Sequence, residues 1–235
     1  MRAPPALLEC ITVDIEKRAA ILAAVQDALE GRRLLSHPFY RRWSAGELRP
    51  GELAAYAGQY RSVEAALPGW LESIQSRAEN PEVRALVQRN LDDEVGGARS
   101  HVELFDQFAT AVGAPSPGGV QVGPATRALL DTHYGLVSSS AAEGLTAVLT
   151  YELQAPGVST SKAAGLRSHY GLDGDAVAFW DTHADVEDEH ASWTLDAVVA
   201  AGGEPAMAAT AARRTADAWW AFLDEREAAA PSILS

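Results

Sequence analysis

Three short stretches place carboxylates and imidazoles at helical spacing, and any fold of this chain has to accommodate them beside an apolar interior. NLDDEVGGARSH carries Glu94 and His101, LTYELQAP carries Glu152, and THADVEDEH carries His183, Glu187 and His190. A helix advances about 100° per residue, so side chains seven apart return to nearly the same face. Glu94 and His101 are therefore expected to look one way from a single helix running from Pro81 to Ala111. His183 and His190 should do the same on theirs, with Glu187 between them. Glu152 is the most constraining of the six. It sits in AVLTYELQA, on what reads as a buried helix. A buried carboxylate needs a partner, and a cation is the natural one.

The rest of the chain agrees with a helical fold. Alanine is abundant and long segments carry a 3.6-residue apolar rhythm, which predicts an all-α class. With 235 residues, 47% of them hydrophobic, one substantial core and a single domain over residues 1–235 are expected. The first helix should span about Leu7 to Leu29. HPFYRRWSAGEL reads as a short connecting segment, and Pro50 opens a long helix to about Arg77, bent at Pro68. Asn80-Pro81 is a clean start signal. Residues 114–123 form a loop, and Pro124 starts a helix to about Ser138. Ser140 and Glu143 read as a capping box ahead of the helix that carries Glu152. A shorter helix holds Lys162 and His169 and ends near Gly171. Asp173 is expected to cap the helix of His183, Glu187 and His190, which stops at Gly202-Gly203, and a last helix covers Pro205 to Glu227. Seven or eight helices with short connections make a compact bundle.

A formal net charge of −13 repels phosphate backbones and anionic lipid, so neither nucleic acid nor a membrane is an expected partner. No run approaches the roughly 18 apolar residues that a span requires. The start, MRAPPALLECITVDIEKR, lacks a secretory core. The single cysteine, Cys10, excludes an intramolecular disulfide and fits a reducing, cytoplasmic location, most simply as a bland thiol.

Three carboxylates and three imidazoles facing a common interior suit a pair of iron ions, since oxygen-rich, imidazole-containing shells with open positions serve Fe(II) oxygen chemistry. Each piece alone has a plainer reading. Glu94 neighbours Asp92 and Asp93, and His183 to His190 encloses Asp185, Asp188 and Glu189, as solvated acidic turns do. A ferritin-like site needs two Glu-x-x-His pairs, and only Glu187-x-x-His190 qualifies, because Ala98 and Trp180 stand three before His101 and His183. There is no His-Glu-x-x-His run for zinc hydrolysis, and one cysteine supports no cluster. His37, His133 and His169 read as structural or surface residues.

The stretch from HPFYRRWSAGELRPGELAAYAGQYR through NLDDEVGGARSHVELFDQFATAVG covers about a third of the chain. Together with YELQAP, KAAGLRSHYG and the His183–His190 segment, it resembles the heme-oxygenase-like diiron oxidases and oxygenases, and within them the para-aminobenzoate synthases. The resemblance implies a seven-helix bundle with two iron ions inside, ligated in order by Glu94, His101, Glu152, His183, Glu187 and His190. Glu187 stands where the relatives carry aspartate, one methylene shorter. Two Fe(II), O2 and an external reductant are the implied cofactors, with manganese in place of one iron left open, and a homodimer is the family habit. In the para-aminobenzoate synthases the protein is its own substrate. Tyr40 matches the tyrosine whose ring is consumed, Tyr56 and Tyr151 match tyrosines lining the site, and Lys162 matches the amino donor. Lys162 and Lys17 are the only lysines, and lysine, unlike arginine, readily sheds its proton to become a nitrogen nucleophile. The plainer reading makes Tyr40 and Tyr56 core aromatics and Lys162 a solvated, snorkelling lysine. Relatives in the wider group N-oxygenate external amines or fragment amino and fatty acids; for such a substrate Arg99 or Arg167 could hold a carboxylate. A non-enzymatic interaction protein and a thiaminase-like hydrolase fit the residues less well.

Overall fold

Proline and glycine punctuation divides the chain into helices at positions the apolar rhythm alone does not reveal. The computed structural model describes the backbone of residues 5–229 and the side chains of residues 14–229 apart from 187 and 188. Within it lie eleven α-helices: α1 (Pro5–Ala28), α2 (Pro38–Ala45), α3 (Pro50–Glu64), α4 (Leu67–Arg77), α5 (Pro81–Val95), α6 (His101–Ala111), α7 (Pro124–Ser139), α8 (Ala141–Glu152), α9 (Ala155–Tyr170), α10 (Ala178–Ala200) and α11 (Pro205–Ala228). Cys10 lies on α1, outside the described side chains.

Three breaks matter for function. A proline lacks the N–H for the helical ladder and clashes with the carbonyl four residues back. Pro68 therefore ends α3 at Glu64, and Pro156 ends α8 at Glu152. The third break lies at Gly96-Gly97. Gly96 is extended (φ −90°, ψ −162°) and Gly97 takes φ +76°, a region that favours glycine. A Cβ at Gly96 would sit 2.1 Å from the Asp92 carbonyl oxygen. The single helix expected from Pro81 to Ala111 is thus two, and Ser100 restarts it by capping α6 with Glu103 in a reciprocal box.

Two further expectations are corrected. Most of HPFYRRWSAGEL is a helix, α2, because the His37 ring accepts the Phe39 N–H at 3.1 Å and caps it. Asp173 does not cap α10; a 3-10 turn at Gly174–Ala176 intervenes, and Asp173 instead accepts from Arg167 at 3.0 Å. The break at Pro156 was expected; rejoining the three broken pairs and setting aside the short α2 leaves seven long helices, the number the family resemblance implies.

The bundle is built around α10, which packs on α1, α5, α6, α8 and α9, while α11 closes the other side against α1, α7 and α8. Aromatic residues fill much of the core, among them Trp43, Tyr56, Tyr60, Phe105, Phe108 and Trp180. No helix among the described residues is long and apolar enough to cross a membrane.

Candidate metal centre

Four buried side chains converge inside the bundle: Glu64 from the end of α3, Glu94 from the last turn of α5, His101 from the start of α6, and His183 from α10. Each offers a ligand atom, and these atoms all lie within 4.8 Å of one another. Glu94 Oε2 meets His101 Nδ1 at 3.0 Å, across the Gly96-Gly97 break rather than along one helix face. The other Glu94 oxygen lies 3.8 Å from His190 Nδ1. Glu152 lines the same cavity as Glu64 and Glu94, and Asn90 donates to its Oε1 at 2.7 Å. His183 and His190, seven apart on α10, are both buried, as their spacing predicted. The Glu187 side chain, between them, lies outside the described residues.

Outer contacts set the ring orientations. His183 Nδ1 donates to the Phe179 carbonyl at 2.8 Å, which puts the lone pair on Nε2. His190 Nε2 meets Asp93 at 2.7 Å, in the carboxylate–imidazole arrangement that orients metal-binding histidines.

The electrostatics call for a cation. Burial pushes the Glu64 carboxyl up to about 8, with neighbouring Glu94 adding to the rise. Burial also raises Glu152 and drives His183 down to about 3, helped by His101. Burial opposes ionisation of Glu94 and His101 too, but their mutual hydrogen bond prevails, lowering the first and raising the second. Glu64, Glu94 and Glu152 each occupy the last turn of a helix, the negative end of its dipole, where a carboxylate is disfavoured. Glu64 Oε1 and Glu152 Oε2 have no hydrogen-bond partner among the described residues. Oxygen donors left unpaired beside imidazoles fit a divalent metal such as iron.

A narrow cavity of about 30 Å³ adjoins the cluster, bounded by Tyr60, Trp70, His133, Tyr151 and Trp219 as well as the acids. Beyond it lies an aromatic cage around Lys162. The lysine is 2% exposed, donates to the Tyr56 hydroxyl, and sits 4.1 Å from the Trp180 ring centre, 4.5 Å from Tyr40 and 5.0 Å from Tyr60. Tyr56 and Tyr40 hydroxyls are 2.9 Å apart, and Tyr60 meets Tyr151 hydroxyl to hydroxyl. Burial holds the Lys162 ammonium well below its ordinary pKa.

Comparison with known proteins bears on this geometry. Residues 54–222 match the family described as iron-containing redox enzyme. The chain belongs to that family. Within it, the chain is 30% identical to the 4-aminobenzoate synthase of Chlamydia pneumoniae, covering 83% of this chain and 89% of that one. It is 33% identical to the 4-aminobenzoate synthase of Nitrosomonas europaea over 85% and 88% of the respective chains. It is 26% identical to the pyrroloquinoline-quinone synthase of Ruegeria pomeroyi over 80% and 82%. In fold it is similar to a TenA homolog from Pseudomonas syringae, with a TM-score of 0.74 at 16% identity, covering 88% and 91% of the two chains. Membership in the iron-containing redox enzymes makes the chain an oxidoreductase with a heme-oxygenase-like helical fold.

Several site residues differ from the sequence reading. Tyr60, which the sequence reading did not single out, lines the cavity with Tyr151, while Tyr56 stacks behind it at 5.5 Å between ring centres and meets Lys162 and Tyr40. The i, i+4 spacing of Tyr56 and Tyr60 on α3 was the available signal. His133 takes the structural rather than the surface alternative that the sequence left open: it stacks on Trp70 at 4.2 Å and walls the cavity. His37 is structural and His169 exposed, as expected. Arg99 and Arg167 are taken by Asp175 and by Asp173 and Asp181 at the exposed surface, so neither is placed to hold a substrate in the cavity. Glu64 was missed altogether. Yet Glu64-x-x-x-Pro68 repeats the pattern Glu152-x-x-x-Pro156, and the burial argument that singled out Glu152 applies equally to it.

Proposed function

We propose that this oxidoreductase is a diiron 4-aminobenzoate synthase that spends its own side chains, taking the ring from Tyr40 and the nitrogen from Lys162. One observation carries the reading: a buried, cage-bound lysine amine rests against Tyr40 beside a cavity of only about 30 Å³. A water needs roughly 10–15 Å³ on such a scale and small-molecule pockets about 300–1,000 Å³. A space of that size suits O2 better than an external aromatic or amino-acid substrate, which supports self-consumption.

Glu94, His101, Glu152, His183, Glu187 and His190 would hold the two metal ions, with Glu94 between the two sides. The bound iron pair supplies O2 reduction, with electrons from an external reductant. The remaining contributions belong to the chain. Burial holds the Lys162 pKa well below its ordinary value, which favours the neutral amine and a lone pair available for carbon. Hydrogen bonds from Lys162 to the Tyr56 hydroxyl and between the Tyr56 and Tyr40 hydroxyls join the amine and the Tyr40 phenol in one polar chain. Trp43, Tyr56 and Trp180 exclude water from the amine.

The test uses protein grown with 15N-lysine, loaded anaerobically with Fe(II), then given reductant and O2. The expected products are 15N-labelled 4-aminobenzoate and a polypeptide made lighter at Tyr40, both read by mass spectrometry. Because Lys17 is the only other lysine, a Lys17→Arg variant confines the label to Lys162. Iron oxidation without an aromatic amine would refute self-consumption and turn attention to N-oxygenation of an external small amine.

A further inference from the structure

Glu64 belongs to none of the stretches that announce the metal centre, yet it is as deeply committed to it as any residue that does. Its carboxylate is 5% exposed, and its ligand atom lies within 4.8 Å of those of Glu94, His101 and His183. Its Oε1 has no hydrogen-bond partner among the described residues. Two cations stand nearby, and neither pairs with it. Arg61 is engaged bidentately by Asp106 at 2.7 and 3.0 Å, and Lys162 donates to Tyr56.

The backbone explains how it comes to be there. Pro68 terminates α3 at Glu64 as Pro156 terminates α8 at Glu152, so both acids end a helix and both project from its negative pole into the same interior. A buried carboxylate beside a second buried carboxylate, at the unfavourable end of a dipole, is costly unless a cation lies between them. One divalent ion shared with Glu94, His101 and His183 removes all three costs together.

We propose that Glu64 is a further carboxylate ligand of the centre, completing its α6 side with Glu94, His101 and His183. The proposal rests on the reading of this cluster as a metal centre and adds a ligand to it. It also gives α3 a functional tie that the other ligands lack. α3 carries Tyr56 and Tyr60, so metal bound by Glu64 anchors the helix that separates the centre from Lys162.

The experiment is an anaerobic Co(II) titration of the full chain, followed by calorimetry and by the visible and near-infrared ligand-field bands, on wild type, Glu64→Gln, Glu64→Asp and His101→Ala. Wild type should bind two equivalents. In Glu64→Gln one equivalent should weaken by about tenfold or more and shift its bands, while the other is unchanged. Metal-free Glu64→Gln should melt at least as high as wild type, because a neutral amide replaces a buried carboxyl crowded against Glu94, and should gain less on adding Co(II). Glu64→Asp, which keeps the charge but shortens the reach, should bind with intermediate affinity and its own shifted bands, and it decides the matter if the glutamine variant does not fold. Wild-type affinity and bands in both variants would overturn the proposal. So would a lower melting temperature in metal-free Glu64→Gln, which would mark Glu64 as a counter-ion of Lys162. If wild type binds no Co(II) and His101→Ala behaves identically, the metal centre itself is refuted along with its added ligand.

Discussion

Glu64, Glu94 and Glu152 gather at one end of the interior and Lys162 lies in an aromatic cage at the other, all of them at most 5% exposed. The two regions meet the cost of burial in opposite ways. The acids remain close together beside three imidazoles, two of their oxygens without partners among the described residues, which prepares them for a cation of higher charge than a side chain carries. The lysine is packed on the faces of Tyr40, Trp43, Tyr56, Tyr60 and Trp180, and burial holds its pKa well below the ordinary value. One region gathers groups that call for a cation, and the other withholds water from the lysine it contains. Tyr60 and Tyr151 touch at the boundary between them.

That contrast can be broken from either side. The largest effect is expected at the polar end. His101→Ala should weaken metal binding by more than about 100-fold, since even outer-contact residues cost 10–100-fold, and activity should fall with it. Full iron loading in that variant, measured by elemental analysis, would remove His101 from the ligand set.

At the cage the metal and the product should separate. Lys162→Met should load iron as wild type does and form no 4-aminobenzoate. Its fold should be more stable by roughly 1–3 kcal/mol at neutral pH, because an apolar side chain replaces a group that must lose its proton to be buried. The sign follows from the lowered folded pKa: the unfolded chain binds the extra proton, so this lysine's contribution to stability improves as pH rises towards its ordinary pKa. Denaturant titration at several pH values checks both statements, and a destabilised Lys162→Met would contradict them.

The smallest effect concerns the cavity wall. Burial holds His133 down at about 4, so the unfolded chain binds a proton that the folded chain refuses between pH 6.5 and 4. Stability should fall as pH drops through that window, by up to about 3 kcal/mol from this residue. His133→Phe, which keeps the stack on Trp70, should flatten that part of the pH profile in urea unfolding. An unchanged slope would place the protonated ring in the folded state.

Much of the fold was legible because proline, glycine and capping residues act locally. Asn80-Pro81, Ser140 with Glu143, and Gly171 ended or began helices where they stood. The Gly96-Gly97 break was not read, since a continuous apolar rhythm across it resembles one long helix. Only a carbonyl too close to tolerate a Cβ shows why it cannot be. Glu94 and His101 do face each other, but through that turn rather than through heptad spacing.

The sequence by itself determined the helical class and offered six candidate ligands together with Tyr40 and Lys162, because residue type, spacing and punctuation are local properties. Tertiary structure alone decided that Glu64 joins the acids, that Tyr60 stands at the cavity while Tyr56 stands behind it, and that Lys162 is caged rather than solvated. Each of those outcomes depends on which helix faces which across the core. Burial, which sets the cost of a charge, is a property of that packing and cannot be assigned to a residue in isolation.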